Sequence, residues 1–407
     1  MAPESATCAR RRAVLSLYLH FPCCKRKCSY CDFCSGVGDR AAMEGYLRAL
    51  RAEIALQAAA LGAMPVDTVY LGGGTPSVMP AEAMRETLAV LRNRFTILPD
   101  AEWSSEANPG TLTDDWLDVL TEAGMNRLSL GVQAVQPQLL QTLGRIHTYP
   151  QALEAMRMAR RHGIANLNVD AMFGLPGQTA ADYAETLTAF AQAGVQHISA
   201  YALTLEEGTP LWQSVQSGAL TLPDEDATAG MLEAGVELLR KLGYPRYEIS
   251  NFAQPGFLCR HNLGYWRQKP YLGLGVSAAS LLPPPDGQPG IRYVRRVNTT
   301  SVANYCEALD AGRLPDAEVT PIDAAEAMFE TVMLGLRTVE GVSYADFLQM
   351  HGVTLESVYG EAIATLKRER LLQPSDPQNP RLALTAHGLA VQNAALMPFM
   401  RDRDTDA

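Results

Sequence analysis

The chain has 407 residues and a formal net charge of −10, from 34 Lys and Arg against 44 Asp and Glu. At 47% hydrophobic and 19% charged it is neither a disordered chain nor a basic nucleic-acid binder, and it has no run of about 18 apolar residues to cross a membrane. Arg10, Arg11 and Arg12 precede too short an apolar run to make a signal peptide, so a cytoplasmic location is expected.

Strand-like runs occupy 15–20, 68–71, 102–106, 127–132, 166–172 and 197–203. Ala-, Leu-, Glu- and Arg-rich stretches with helical spacing lie between them at 40–61, 80–94, 113–123, 150–162 and 180–193. Several end on a glycine stop: Gly62, Gly124, Gly163 and Gly194. This alternation predicts parallel strands joined by right-handed crossovers, in an α/β fold built as an open doubly wound sheet or an incomplete barrel. From about 205 the rhythm weakens. A helix is expected over 226–242, followed by Tyr247–Phe252, an unusual loop at 259–266 and an exposed linker at 281–290 (LLPPPDGQPG). The segment 317–400 reads as mostly helical with a hairpin across 371–385, a winged-helix-like module. Five basic and ten acidic residues give it a charge of −5, which argues against DNA binding. These shifts divide the chain into 10–245, 246–312 and 313–400.

The chemically unusual residues cluster after the strands, at the edge where parallel α/β folds bind ligands. They include Gly72, Gly73, Gly74 and Thr75, then Glu106, Gln133 and Asp170. Five of the eight cysteines lie between 23 and 34, and no spaced framework of disulfides is visible. Cys24, Cys28 and Cys31 follow a CxxxCxxC spacing. Three thiolates on one loop hold three corners of a [4Fe–4S] cube and leave the fourth iron open to a ligand. A structural zinc site using Cys34 as fourth ligand is the competing reading, as a non-catalytic scaffold. Cys23 is left as a packed thiol.

With these residues in view, the chain resembles the radical S-adenosylmethionine (SAM) superfamily. YLHFP, YLGGGTPS, EANPGTLT, NRLSLGVQ, LGRIHT, NVDAMFGLPGQT and HISAYALTLEEGTPL match, in order, blocks of its oxygen-independent coproporphyrinogen III oxidase-like branch. The resemblance runs from about residue 15 to 400. It implies a partial parallel (β/α)6 barrel and then the branch's helical C-terminal domain. It also implies a cluster on Cys24, Cys28 and Cys31, with the open iron taking the amino and carboxylate groups of SAM for reductive cleavage. The resemblance makes Gly72, Gly73, Gly74 and Thr75 the cradle of the methionine amino group. It assigns Glu106, Gln133, Arg145 and Asp170 to SAM, and sets Tyr18 and Tyr30 near the cluster and the adenine.

Within the branch, coproporphyrinogen dehydrogenases carry CxxxCxxCxC; here the last position is Phe33 and Cys34 comes one residue late. CRHNLGYW at 259–266 instead resembles the HNxxYW signature of the HemW haem chaperones. That likeness implies haem as a third cofactor, with His261 as its candidate ligand, and haem-accepting proteins of the respiratory chain as partners. A structural role for His261, Cys259 as an alternative ligand, and decarboxylation of coproporphyrinogen as an alternative activity stay open, as does a homodimer. One departure is that Val276-Ser277-Ala278 follows Gly275 where the family shows a glycine-alanine-histidine run.

Overall fold

A computed structural model of the chain describes residues 14–284 and 288–400. Cys8, the three N-terminal arginines and the first residues of the expected first domain lie outside them.

The first strand, β1 (Leu15–Phe21), is buried at nearly every position, the mark of a strand covered on both faces. It is followed by α1 (Arg40–Leu61), β2 (Pro65–Gly73), α2 (Ala81–Arg94) and β3 (Thr96–Ala107). Next come α3 (Asp114–Glu122), β4 (Arg127–Gln133), α4 (Pro137–Thr142), α5 (Tyr149–Arg161), β5 (Asn166–Phe173), α6 (Ala180–Gln192) and β6 (His197–Ala202). The helices start where the local chemistry allows. Thr148 with Gln151, and Thr179 with Asp182, form capping boxes at α5 and α6. β1 to β6 pair in chain order, all parallel, as the alternation of elements predicts.

The sheet does not stop at six strands. After α7 (Pro210–Gln216) and α8 (Glu225–Lys241), β7 (Asn251–Ala253) adds antiparallel to β6. Beyond α9 (Arg260–Trp266), β8 (Tyr271–Leu274) adds parallel to the open edge of β1. β9 (Ala279–Leu282), β10 (Ile291–Asn298) and β11 (Asp316–Asp323) continue antiparallel, with α10 (Val302–Asp310) between the last two. The eleven-stranded order is β11-β10-β9-β8-β1-β2-β3-β4-β5-β6-β7. The expected exposed linker is therefore corrected at its start: Leu281 and Leu282 lie in β9, buried, because β9 pairs between β8 and β10 and covers the edge that β8 would otherwise leave bare.

The C-terminal part is mostly helical: α11 (Ala324–Gly335), β12 (Val342–Ser343), α12 (Tyr344–His351), α13 (Leu355–Arg368), β13 (Arg381–Leu382), α14 (Ala386–Ala390) and α15 (Gln392–Leu396). It has its own core around Val332, Leu336, Phe347, Ile363, Leu366, Leu384 and Phe399. The expected hairpin across 371–385 is reduced to a single bridge between Leu372 and Leu384, and β13 pairs with β12 instead. Among the described residues no helix is long and apolar enough to cross a membrane.

Candidate functional site

The loop after β1 is pinned at its base and at its flank. Cys24 N–H donates to the Gly36 carbonyl and Gly36 N–H to the Pro22 carbonyl, both at 2.8 Å. Ser29 ties the middle of the loop to the end of α4, through its N–H to Leu143 O (3.1 Å) and its hydroxyl to Thr142 O (2.8 Å). So held, Cys24, Cys28 and Cys31 line one cavity of about 500 Å³ at the C-terminal edge of the parallel strands. Thr75 Oγ1 donates to Cys24 Sγ at 3.4 Å, and Arg145 Nη1 to Cys28 Sγ at 3.3 Å. Burial, chiefly, pushes the Cys31 thiol up, and Cys28 and Cys24 add to the same shift. Among the described residues no three His, Cys, Asp or Glu side chains converge on a point that would hold one metal ion. Three soft thiol donors on one wall of one cavity fit an iron–sulfur cube in chemistry.

The opposite wall is built by strand periodicity. Ser129, Gly131 and Gln133 of β4, Asp170 and Met172 of β5, and Ser199 and Tyr201 of β6 all face the cavity at every second position. Register aligns them, pairing Glu106 with Ser129, Gly131 with Asp170, and Asp170 with Ser199. A register shift between Gly131 and Gln133 breaks the ladder, and Gln133 there adopts φ +74°. A non-glycine residue held in the left-handed region at a strand end is a strained feature that concentrates at functional sites. Tyr201 Oη donates to Gln133 Oε1 at 3.0 Å and fixes the amide.

The acids of the cavity are desolvated. Glu106 accepts from Tyr70 Oη (2.9 Å) and Gly73 N–H (3.1 Å). Burial, then the charge of Asp170, pushes its carboxyl up to about 7. Burial also raises Asp170, against the hydrogen bonds from Asn168 and Ser199. Such carboxylates favour a cationic ligand, which restores the charge state that burial disfavours. Arg145 is the counterweight: its Nη2 donates to Asn108 Oδ1 and the Gly131 carbonyl, while its Nε is buried with no partner. Gly73 and Gly74 leave no room for a side chain. A Cβ at Gly73 (φ +108°) would sit 2.6 Å from the His20 ring, and one at Gly74 2.8 Å from the carbonyls of Phe21 and Cys23. Bare backbone therefore reaches the cavity next to the cysteine loop.

All the candidate residues read from the sequence line this cavity except Tyr18, Gly72, His261 and the two alternative ligands, Cys34 and Cys259; the Cys34 thiol donates instead to the Thr300 carbonyl at 3.3 Å. Tyr18 lies one layer below, its hydroxyl bonded to His20 Nδ1 (3.0 Å) and its ring stacked on Tyr70. Gly72 packs under Tyr70, Tyr18 and Glu106. His261, on α9, is 1% exposed. Its Nδ1 bonds Thr68 Oγ1 and its Nε2 bonds Tyr265 Oη, both at 2.9 Å, and its ring stacks on Tyr70 at 5.0 Å. Burial pushes the imidazole down to about 3, so it is neutral with both nitrogens engaged, and neither is open to iron in this arrangement. Cys259 is fully buried against Glu102.

Sequence reading missed Asn108, which joins Thr75 (2.8 Å) to Arg145, and Ser129, Asn168 and Ser199 around Asp170. The signal for the serines and Asn168 was period-two polarity in otherwise apolar strands.

Comparison with known proteins agrees with this architecture. The profile of the Radical SAM superfamily matches residues 18–190, and that of the HemN C-terminal domain matches 322–391. The chain is 36% identical to the heme chaperone HemW of Mycobacterium tuberculosis over 94% of each chain. It is 32% identical to the heme chaperone HemW of Escherichia coli over 95% of this chain and 98% of that one. In fold it is similar to coproporphyrinogen III oxidase (HemN) from Escherichia coli, with a TM-score of 0.80 at 23% identity, covering 95% of this chain and 90% of that one. The family implies a [4Fe–4S] cluster and SAM as cofactors. The chain belongs to the HemN-like branch of the radical SAM superfamily and stands close to HemW.

Proposed function

We propose that this protein is a HemW-like haem chaperone that holds a [4Fe–4S] cluster on Cys24, Cys28 and Cys31, binds SAM beside it and passes haem to respiratory haem proteins. The observation that carries the reading is the cavity in its context. Three thiols face buried carboxylates and an arginine across one cavity, in a chain whose near-full-length relatives are named heme chaperones. Bound together, cluster and SAM supply reductive one-electron chemistry. Glu106 and Asp170 face the cationic groups of SAM and its ribose hydroxyls, and Arg145 pairs the methionine carboxylate. Gln133, fixed by Tyr201, supplies an amide to the ligand's polar edge. Gly73 and Gly74 let the methionine end approach the backbone, while Tyr30 and Met172 keep water from the adenosine side. His261 acts from below: it stacks on the ring of Tyr70, whose hydroxyl donates to Glu106.

The test is spectroscopic titration of the anaerobically reconstituted protein with haem, with and without SAM, beside an anaerobic assay with coproporphyrinogen III. Saturable haem binding and no decarboxylated product are expected. Product formation, or no haem uptake, overturns the reading.

A further inference from the structure

Helix α9 has two sides. While His261 faces the interior of the strands, Leu263, Trp266 and Arg267 line a second cavity of about 600 Å³, closed on its far side by α11 and α12. A volume of this order is that of a cofactor site, in the range of about 300–1,000 Å³. Its wall combines flat apolar surface, from Trp266 and Phe347, with Arg267, Arg292 and Arg381. Only Glu340 and Asp346 oppose these three cations, so the lining is net positive in a chain of charge −10 and against a C-terminal segment of charge −5.

One polar atom of the wall and one just behind it are left unsatisfied by the protein itself. Trp266 Nε1 is buried without a partner, and so is Nε of Arg337, whose guanidinium lies 5.9 Å from the Trp266 ring centre. At the rim, Arg267 and Arg381 share the half-exposed Glu340, at 3.1 and 3.7 Å. Ion pairs this exposed contribute little, so a ligand carboxylate displaces Glu340 at little cost. Met350 on α12 adds a thioether to the lining, with its Sδ 3.8 Å from Thr331 Oγ1. A ligand that uses all of this is large, flat and apolar, has carboxylates along one edge and carries a metal that accepts sulfur.

We propose that this cavity between α9 and the C-terminal helices is the haem site. The ring system lies against Trp266 and Phe347, the propionates meet Arg267 and Arg381 in place of Glu340, and the thioether of Met350 faces the iron. The assignment rests on the haem-chaperone reading above and relocates the haem from the imidazole of His261 to the other face of its helix. α9 also reaches Glu106, on the wall of the first cavity, through the rings of His261 and Tyr70.

The test compares the haem affinity of the whole protein with that of Trp266→Ala and Arg267→Glu, using SAM binding as the check on folding. Arg267 is largely exposed, so its replacement leaves the fold intact and decides the matter alone if Trp266→Ala loses SAM binding. Both variants should weaken haem by about tenfold or more while SAM binding holds. If the parent protein binds haem and Arg267→Glu binds it equally well, the cavity is not the site and the chaperone reading stands. If the parent protein binds no haem, both fall.

Discussion

Glu106 shows how one residue sets a measurable property of the site. Its carboxyl is buried, raised to about 7, and faced by Asp170, Arg127, Tyr70 and the Gly73 amide. A cationic ligand binds the ionised form. Below the raised value, then, binding must first expel a proton, and above it the charge is already present. SAM affinity should therefore tighten as pH rises from about 6 to about 8, and Glu106→Gln should both weaken SAM by about tenfold and flatten the profile, measured by calorimetry across that range. An unchanged slope in the variant would take Glu106 out of the site. Glu106 and Gln133 were legible as polar groups at the ends of their strands, and Asp170 as a charged residue among the apolar positions of its own. The partners of His261 were not legible: Thr68 and Tyr70 lie almost two hundred positions away, and only the closure of α9 against β2 brings them together.

Among the elements, α9 is the one whose placement explains most. It spans seven residues, Arg260–Trp266, and is anchored by Glu102, whose carboxylate accepts from the N–H of Arg260 (2.9 Å) and of His261 (3.0 Å). These are first-turn amides that the helix itself cannot satisfy. Glu102→Ala leaves both without this acceptor inside the molecule and should lower unfolding stability by about 1–3 kcal/mol, measured by denaturant titration. A change below about 0.5 kcal/mol would mean that packing alone seats the helix. The sequence motif announced that 259–266 is unusual but not that it packs one face on β2 and lines the second cavity with the other. For β8 and β9 the signal was weaker still. Four residues each, flanked by a proline-rich run, give too little alternation to be read as strands, and they form because β8 covers the edge of β1 and β9 in turn that of β8.

At the scale of the molecule, six parallel strands bring eleven sequence-read residues to one edge, and the segment after them extends the same sheet on both sides. The parallel sheet was legible because a repeated strand–helix period is a long-range pattern, and the order of motifs along it told which edge carries the chemistry. The second cavity was not, since its walls come from α9, β10, α11, α12 and β13, none of which carries the site alone. Everything proposed for the first cavity depends on the three cysteines gripping a cube. The most direct measurement is iron and sulfide content, together with SAM affinity, of the Cys24→Ala, Cys28→Ala, Cys31→Ala triple variant prepared without oxygen. The account predicts about four irons per chain in the parent, next to none in the variant, and loss of SAM binding with them; a triple variant that keeps a full complement of iron and sulfide and binds SAM as the parent does would contradict it.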